Sequence, residues 1–286
     1  MGKPMASRLL RAGYPLTAWN RTPAKMVSLE ELGAKLAETP AAAVDRADIV
    51  ITMLEDGGAV AAVLEQAAVR LRPGMLIVDM SSTRQSEAQA LHARLQAGGV
   101  AFIDAPVSGG VVGAEAGSLA IMAGGTEHDF TTVEALLQVL GRPTLVGPAG
   151  CGQLAKLCNQ LIVGGTLNII AEALLLAQAG GADPVAVRAA IRGGFAESRI
   201  LEVHGQRMLE RNFLPGGQVK SQTKDLENVL AAAASAGISL PVTALVTERY
   251  RSILATLPHA DQSAALLALE SINPGFRVGV RPDQLP

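Results

Sequence analysis

The sequence of 286 residues predicts a doubly wound α/β half followed by an all-helical half. Three observations predict it. Up to residue 147, short unbroken apolar runs alternate with helical periods, the pattern of a parallel sheet covered on both faces. Beyond it, the helical period carries almost the whole remaining chain. Between them lies a glycine-rich turn, Gly147-Pro148-Ala149-Gly150-Cys151-Gly152, which runs into a long apolar helix pattern beginning Gln153-Leu154-Ala155-Lys156-Leu157-Cys158-Asn159-Gln160. The expected segments are 1–147, 148–273 and a tail, 274–286.

Composition narrows the partners. With 49% apolar and 17% charged residues the chain can build a globular core. A net charge of −2 with no basic stripe argues against nucleic acid and anionic membrane surfaces and favours small molecules. Cys151 and Cys158 are seven residues apart on one predicted helix, about 10 Å along its axis, too far for a disulfide. No CxxC pair occurs, and His92, His128, His204 and His259 are isolated in sequence. No metal site is therefore expected, and a reducing, cytoplasmic setting is. The apolar stretch from Leu161 to Ala182 is interrupted by Asn168, Glu172 and Gln178, as in a buried helix rather than a membrane span. The start shows neither a signal-peptide core nor a myristoylation pattern.

In chain order, Lys3 to Arg11 predicts a helix with Pro4 in its first turn and a stop at Gly13. Pro15 to Trp19 predicts a strand and Thr22 to Leu32 a helix. Further strands are expected at 48–53, 75–80, 100–105 and 119–123, with helices at 58–71, 84–97 and 126–140. In the helical half the periods cover 153–179, then a helix capped by Asp183-Pro184, then 198–211, 220–236, 241–257 and 261–272. The tail has no clear period and is expected to be loose or docked on a partner.

A sheet of the dinucleotide-binding arrangement begins with a strand, a glycine-rich turn and a helix. Here the helix is present and the strand is not: Met1-Gly2 reads as the end of that turn, with Gly2 as the last glycine of G-x-G-x-x-G. The expectation is that about ten upstream residues, the middle strand of the sheet and two glycines, are missing; the alternative is a strand-less variant. At the end of the next strand, Asn20-Arg21-Thr22 contains no acid for a ribose hydroxyl, and Arg21 suits the 2′-phosphate of NADP, although an idle surface arginine would read the same way. Met53-Leu54 and Ser81-Ser82-Thr83 follow two later strands at their carboxyl ends, where such sheets bind ligands, and the serines serve equally as helix caps. Asp104-Ala105-Pro106-Val107-Ser108-Gly109-Gly110 opens a glycine-rich loop that could cradle a carboxylate or simply turn. Lys156 and Asn159, three apart, share one helical face; taken alone, Lys156 also fits a lysine snorkelling from a buried helix.

Four motifs, MGKPMASRLLRAGY, DAPVSGGVVGAEAG, GCGQLAKLCNQ and TKDL, together resemble the β-hydroxyacid dehydrogenase family, which includes 3-hydroxyisobutyrate dehydrogenase and 6-phosphogluconate dehydrogenase. The likeness extends from Met1 to about Pro274. Ala189 to Gly194 and Arg211-Asn212-Phe213 point, less firmly, to its tartronate semialdehyde reductase branch. The resemblance implies a Rossmann-type domain followed by a helical domain like the C-terminal one of 6-phosphogluconate dehydrogenase. It implies NADP-dependent reduction of a short 3-oxo acid, with NAD possible, by a homodimer or homotetramer. Lys156 is then the catalytic lysine; Asn159, Ser108, Gly109 and Gly110 bind substrate. Met1, Gly2, Asn20, Arg21, Thr22, Met53, Leu54, Ser82 and Lys224 contact the cofactor. The alternatives are a 3-hydroxyisobutyrate or other short 3-hydroxy acid dehydrogenase and, in a different class, a non-catalytic cofactor-binding protein.

Overall fold

Helix α1 (Gly2–Arg11) carries Pro4 in its first turn, buries Met5 and Leu9, and places Arg8 and Arg11 near its carbonyl end, where cations are favoured. The computed structural model describes residues 1–286, and the chain divides into two units, Met1–Lys156 and Leu157–Pro286. The division lies inside a helix, later than the expected end of the first domain at 147.

Strand β1 (Thr17–Ala18) follows α1. The single helix expected over 22–32 is instead a 3-10 turn, Pro23–Lys25, and a short α2 (Val27–Glu30), which buries only Leu29. In this stretch two elements escaped the sequence reading: β2 (Lys35–Leu36), parallel to β1, and α3 (Pro40–Val44), capped by the Thr39 hydroxyl accepting from the Ala42 N–H. A two-residue strand is too short to show a period.

Then come β3 (Ile49–Thr52), α4 (Gly57–Ala67), β4 (Leu76–Asp79), α5 (Gln85–Ala97), β5 (Ala101–Asp104), β6 (Val107–Ser108), α6 (Gly110–Ala116), β7 (Leu119–Gly124), α7 (Glu127–Leu140) and β8 (Gly141–Gly147). The six-stranded sheet runs β3-β4-β5-β7-β6, with β8 on β7. It is parallel through β3, β4 and β5, as expected, and mixed beyond them, where β7 is antiparallel to β5 and β6. The chain reverses through Gly109 (φ 135°) and Gly110 (φ 65°), conformations that an L side chain resists. β1 and β2 form a sheet of their own. In the 3-2-1-4-5-6 order the first strand lies between the positions that β1 and β3 take here, and no ladder joins these two.

Strand β4 shows how an unbroken apolar run serves two faces. Leu76, Val78 and Met80 pack with α1 and α7 through Met5, Leu9, Val133 and Leu137. Ile77, one residue out of phase, packs with Val60 and Leu64 of α4 and Leu91 and Leu95 of α5.

The second unit is helical as expected. α8 (Cys151–Ala179) crosses the boundary and is followed by α9 (Pro184–Ile191), a π-helical turn Leu201–Gly205 running into α10 (Gln206–Glu210), then α11 (Val219–Ser235), α12 (Pro241–Leu254) and α13 (Ala265–Ser271). α8 is long and apolar enough to cross a membrane. Its Leu167, Ile170, Ala171 and Leu174 instead build the core of this unit with Leu226, Tyr250 and Leu266. The tail, expected to be loose or docked on a partner, packs on its own unit: Asn212 bridges Gln284, Val278 is fully buried, and the Arg211 guanidinium bonds Asp283.

Candidate active site

The carboxyl ends of β3, β4 and β5 are tied together by a buried polar chain. The Thr52 hydroxyl donates to Asp79 Oδ1 at 2.7 Å, as does the Ser81 N–H at 3.1 Å. Ser81 Oγ in turn accepts from the Leu54 N–H at 2.9 Å. Gln153, in the first turn of α8, donates Nε2 to the Ser81 carbonyl at 2.8 Å and accepts the Thr83 N–H at 3.0 Å. Asp104 accepts from the Gly150 and Gln153 N–H groups, both at 2.7 Å. Burial pushes the Asp79 carboxyl above the usual range, with the Ser81 and Thr52 bonds opposing. It pushes Asp104 up to about 6 against the pull of its two N–H donors.

This network holds Leu54 and flanks Ser82, two of the residues that the family resemblance assigns to the cofactor. Leu54 is held by Ser81, and Ser82 lies between the two residues that bond Gln153. Met53 stands beside the start of α1: a Cβ built on Gly2 would lie 3.7 Å from Met53 Cβ. The first turn of α1 has no side-chain cap and no acidic residue, so its N–H groups are available to an anion such as a pyrophosphate. These features fit a dinucleotide. Asn20, Arg21 and Thr22 are exposed at the end of β1, where Asn20 Oδ1 accepts the Thr22 N–H at 2.9 Å and shapes the turn.

The glycine-rich stretch after β5 is not an open loop, as expected, but β6 followed directly by α6. Ser108 ends the strand half-buried, and Gly109 and Gly110 are exposed at the start of the helix, so donors and open backbone are present together. Gly109 also packs against Leu119, whose Cδ2 would lie 3.1 Å from an added Cβ.

Lys156 is half-buried in the second turn of α8 and is the last residue of the first unit; Asn159 belongs to the second. Within that second unit, Asn159 Nδ2 donates to Gln160 Oε1 at 2.8 Å, and Gln160 Nε2 donates to Asp225 Oδ2 at 2.7 Å. Lys224 Nζ lies 3.6 Å from Asp225 Oδ1. Asn159 and Lys224, far apart in sequence, are thus linked through Gln160 and the Asp225 carboxylate.

Asp79, Asp104 and Gln153 were given no role by the sequence reading. The available signal was a carboxylate terminating two otherwise wholly apolar strands, Leu76-Ile77-Val78-Asp79 and Ala101-Phe102-Ile103-Asp104. A buried charge at such a place requires donors, and here they come from elsewhere in the fold.

The description "NAD binding domain of 6-phosphogluconate dehydrogenase" matches residues 1–194, and "NAD-binding of NADP-dependent 3-hydroxyisobutyrate dehydrogenase" matches residues 150–269. The chain is 42% identical over 275 residues to 2-hydroxy-3-oxopropionate reductase of Escherichia coli, covering 94% of each chain. It is 32% identical to 2-(hydroxymethyl)glutarate dehydrogenase of Eubacterium barkeri, covering 95% of this chain and 92% of that one. Among solved structures, the Mycobacterium tuberculosis 3-hydroxyisobutyrate dehydrogenase with L-serine superposes with a TM-score of 0.86 at 29% identity, over 94% of this chain and 95% of that one. A chain solved in complex with NADP+ and 2-OPP superposes with a TM-score of 0.82 at 25% identity, over 94% and 96%. With its Rossmann-type sheet and helical second unit, the chain belongs to the β-hydroxyacid dehydrogenase family and is an NAD(P)-dependent oxidoreductase acting on the CH–OH group of β-hydroxyacids.

Proposed function

We propose that the chain catalyses the NADPH-dependent reduction of tartronate semialdehyde to glycerate, with Lys156 as general acid. The observation that carries the substrate assignment is the 42% identity, over nearly the full length of both chains, to a 2-hydroxy-3-oxopropionate reductase.

When bound, the nicotinamide supplies the hydride. Reduction leaves an alkoxide on the substrate, which needs a proton as it forms. A lysine ammonium, with an ordinary pKa of about 10.4, holds that proton at neutral pH and stabilises the developing negative charge. In the reverse direction the same amine, once neutral, takes the hydroxyl proton. Ser108 with the Gly109 and Gly110 backbone offers donors to the substrate carboxylate, and Asn159 orients substrate or lysine. Met1 and Gly2 at the start of α1, with Met53, Leu54 and Ser82, hold the nucleotide, and Lys224 lines the nicotinamide side. Arg21 with Asn20 and Thr22 takes the 2′-phosphate, and the lack of an acid there favours NADP over NAD.

Lys156→Ala is expected to lower kcat by several decades with cofactor affinity little changed. Retention of more than a tenth of the activity would remove Lys156 from the role. The likeness to 3-hydroxyisobutyrate dehydrogenase favours a second reading, a dehydrogenase for that or another short 3-hydroxy acid. Relative kcat/KM for tartronate and methylmalonate semialdehydes decides between the two. A homo-oligomer in the cytoplasm completes the proposal. What supports the oligomer is an exposed apolar ridge of Ile162, Ile169 and Leu176, spaced by seven along α8, with Val242 and Leu245 on α12.

A further inference from the structure

Asp104 does from a neighbouring strand what an N-cap side chain does locally. A helix leaves its first N–H groups without intrahelical partners, and these attract anions. At the start of α8 the Gly150 N–H meets Asp104 Oδ1 and the Gln153 N–H meets Oδ2, so one fully buried carboxylate takes both. The contact is close enough to exclude side chains around it. A Cβ on Gly124 would lie 2.6 Å from Asp104 Oδ1, and one on Gly152 would overlap the main-chain oxygens of Asp104 and Met122. Gln153 then locks the same turn rotationally, through the Ser81 carbonyl and the Thr83 N–H on the other side of its amide. Lys156 follows one turn later on the same helix.

We propose that Asp104, with Gln153, is the positioning residue of the reaction: it clamps the first turn of α8 to the ends of β4 and β5 and so sets where Lys156 stands relative to Leu54 and Ser82. The clamp ties the helix of the proposed proton donor to the same Ser81 that holds the cofactor-contacting turn. This inference rests on the reading of Lys156 as general acid.

The test uses Asp104→Asn, which keeps shape but replaces one acceptor by a donor facing an N–H, and Gln153→Met, which keeps both Asp104 bonds and removes the side-chain lock. NADPH affinity by fluorescence titration, kcat and substrate KM are measured on each, beside Lys156→Ala. The expected result is a kcat loss of about 100-fold for Asp104→Asn, and about 10-fold for Gln153→Met, with NADPH affinity within threefold of the parent. Wild-type kcat in both variants would overturn the proposal, as would parallel losses of kcat and NADPH affinity, which mark a general structural role. If Asp104→Asn does not fold, Gln153→Met alone carries the test by the same criteria. More than a tenth of the parent activity in Lys156→Ala would instead overturn the reading of the lysine, and with it this inference; loss there with normal kcat in the clamp variants overturns the clamp alone.

Discussion

Removing the guanidinium of Arg211 should unlatch the C-terminal tail, and the structure bounds the cost. The side chain is 1% exposed. It makes a bidentate pair with Glu270, at 2.6 and 2.8 Å, a 2.7 Å bond to Asp283 Oδ1 and a 3.2 Å bond to the Val278 carbonyl. Deleting one partner of a buried pair costs about 3–5 kcal/mol, because the remaining charge stays desolvated. Here the low end applies. Asp283 is 31% exposed and keeps Arg277, while Glu270, at 11%, keeps the Val278 N–H. Arg211→Met should therefore lose about 3 kcal/mol, or about 10 °C in Tm of the helical unit. It should also make the chain beyond residue 276 sensitive to protease. Glu270→Gln, added to Arg211→Met, removes the stranded charge and should restore about half of the loss. Thermal unfolding by circular dichroism reads both. A Tm shift below 3 °C for the single variant, or no recovery in the double, would refute the reasoning.

Other expectations follow from the first unit. Asp104 has a folded pKa of about 6 against an ordinary 3.8, so the folded state holds this proton more tightly than the unfolded chain. The resulting stability is fully present below the unfolded value, is lost as pH rises through 6, and amounts to about 3 kcal/mol. The difference in urea-unfolding free energy between the parent and Asp104→Asn should fall by that order between pH 4 and 7; a flat difference contradicts the assignment. Gly152→Ala should push the start of α8 outward by about 1 Å and lower kcat about 100-fold, since the added methyl meets main-chain oxygens that cannot swing aside. Arg21→Asp should reverse the ratio of KM values for NADPH and NADH, and an unchanged ratio removes Arg21 from the 2′-phosphate.

Much of this protein was legible in one dimension because its regular elements are set by local periods. The strands at 49–52, 76–79 and 101–104 and the long helices of the second half lie within a few residues of where apolar spacing, caps and glycines predict them. Family motifs nominated Lys156, Ser108 and Asn159 as candidates, and the roles proposed for them await the activity measurements above. Direction and partnership were not legible. That β7 runs against β5 and β6 is decided by how the chain turns at Gly109 and Gly110, and an apolar strand reads the same either way. The tail has no period because it is held by single contacts, the buried Arg211 in the left-handed conformation at φ 57°, the Asn212–Gln284 bridge and the buried Val278, rather than by a repeating face. The carboxylates of Asp79 and Asp104 end two apolar strands in the sequence, but their role depends on donors 46 and 49 residues away in the chain for Asp104 and 27 for Asp79. Periodicity is a property of neighbours along the chain and survives in the sequence. A buried charge is stabilised by whatever the fold brings to it, and only the tertiary structure decides what that is.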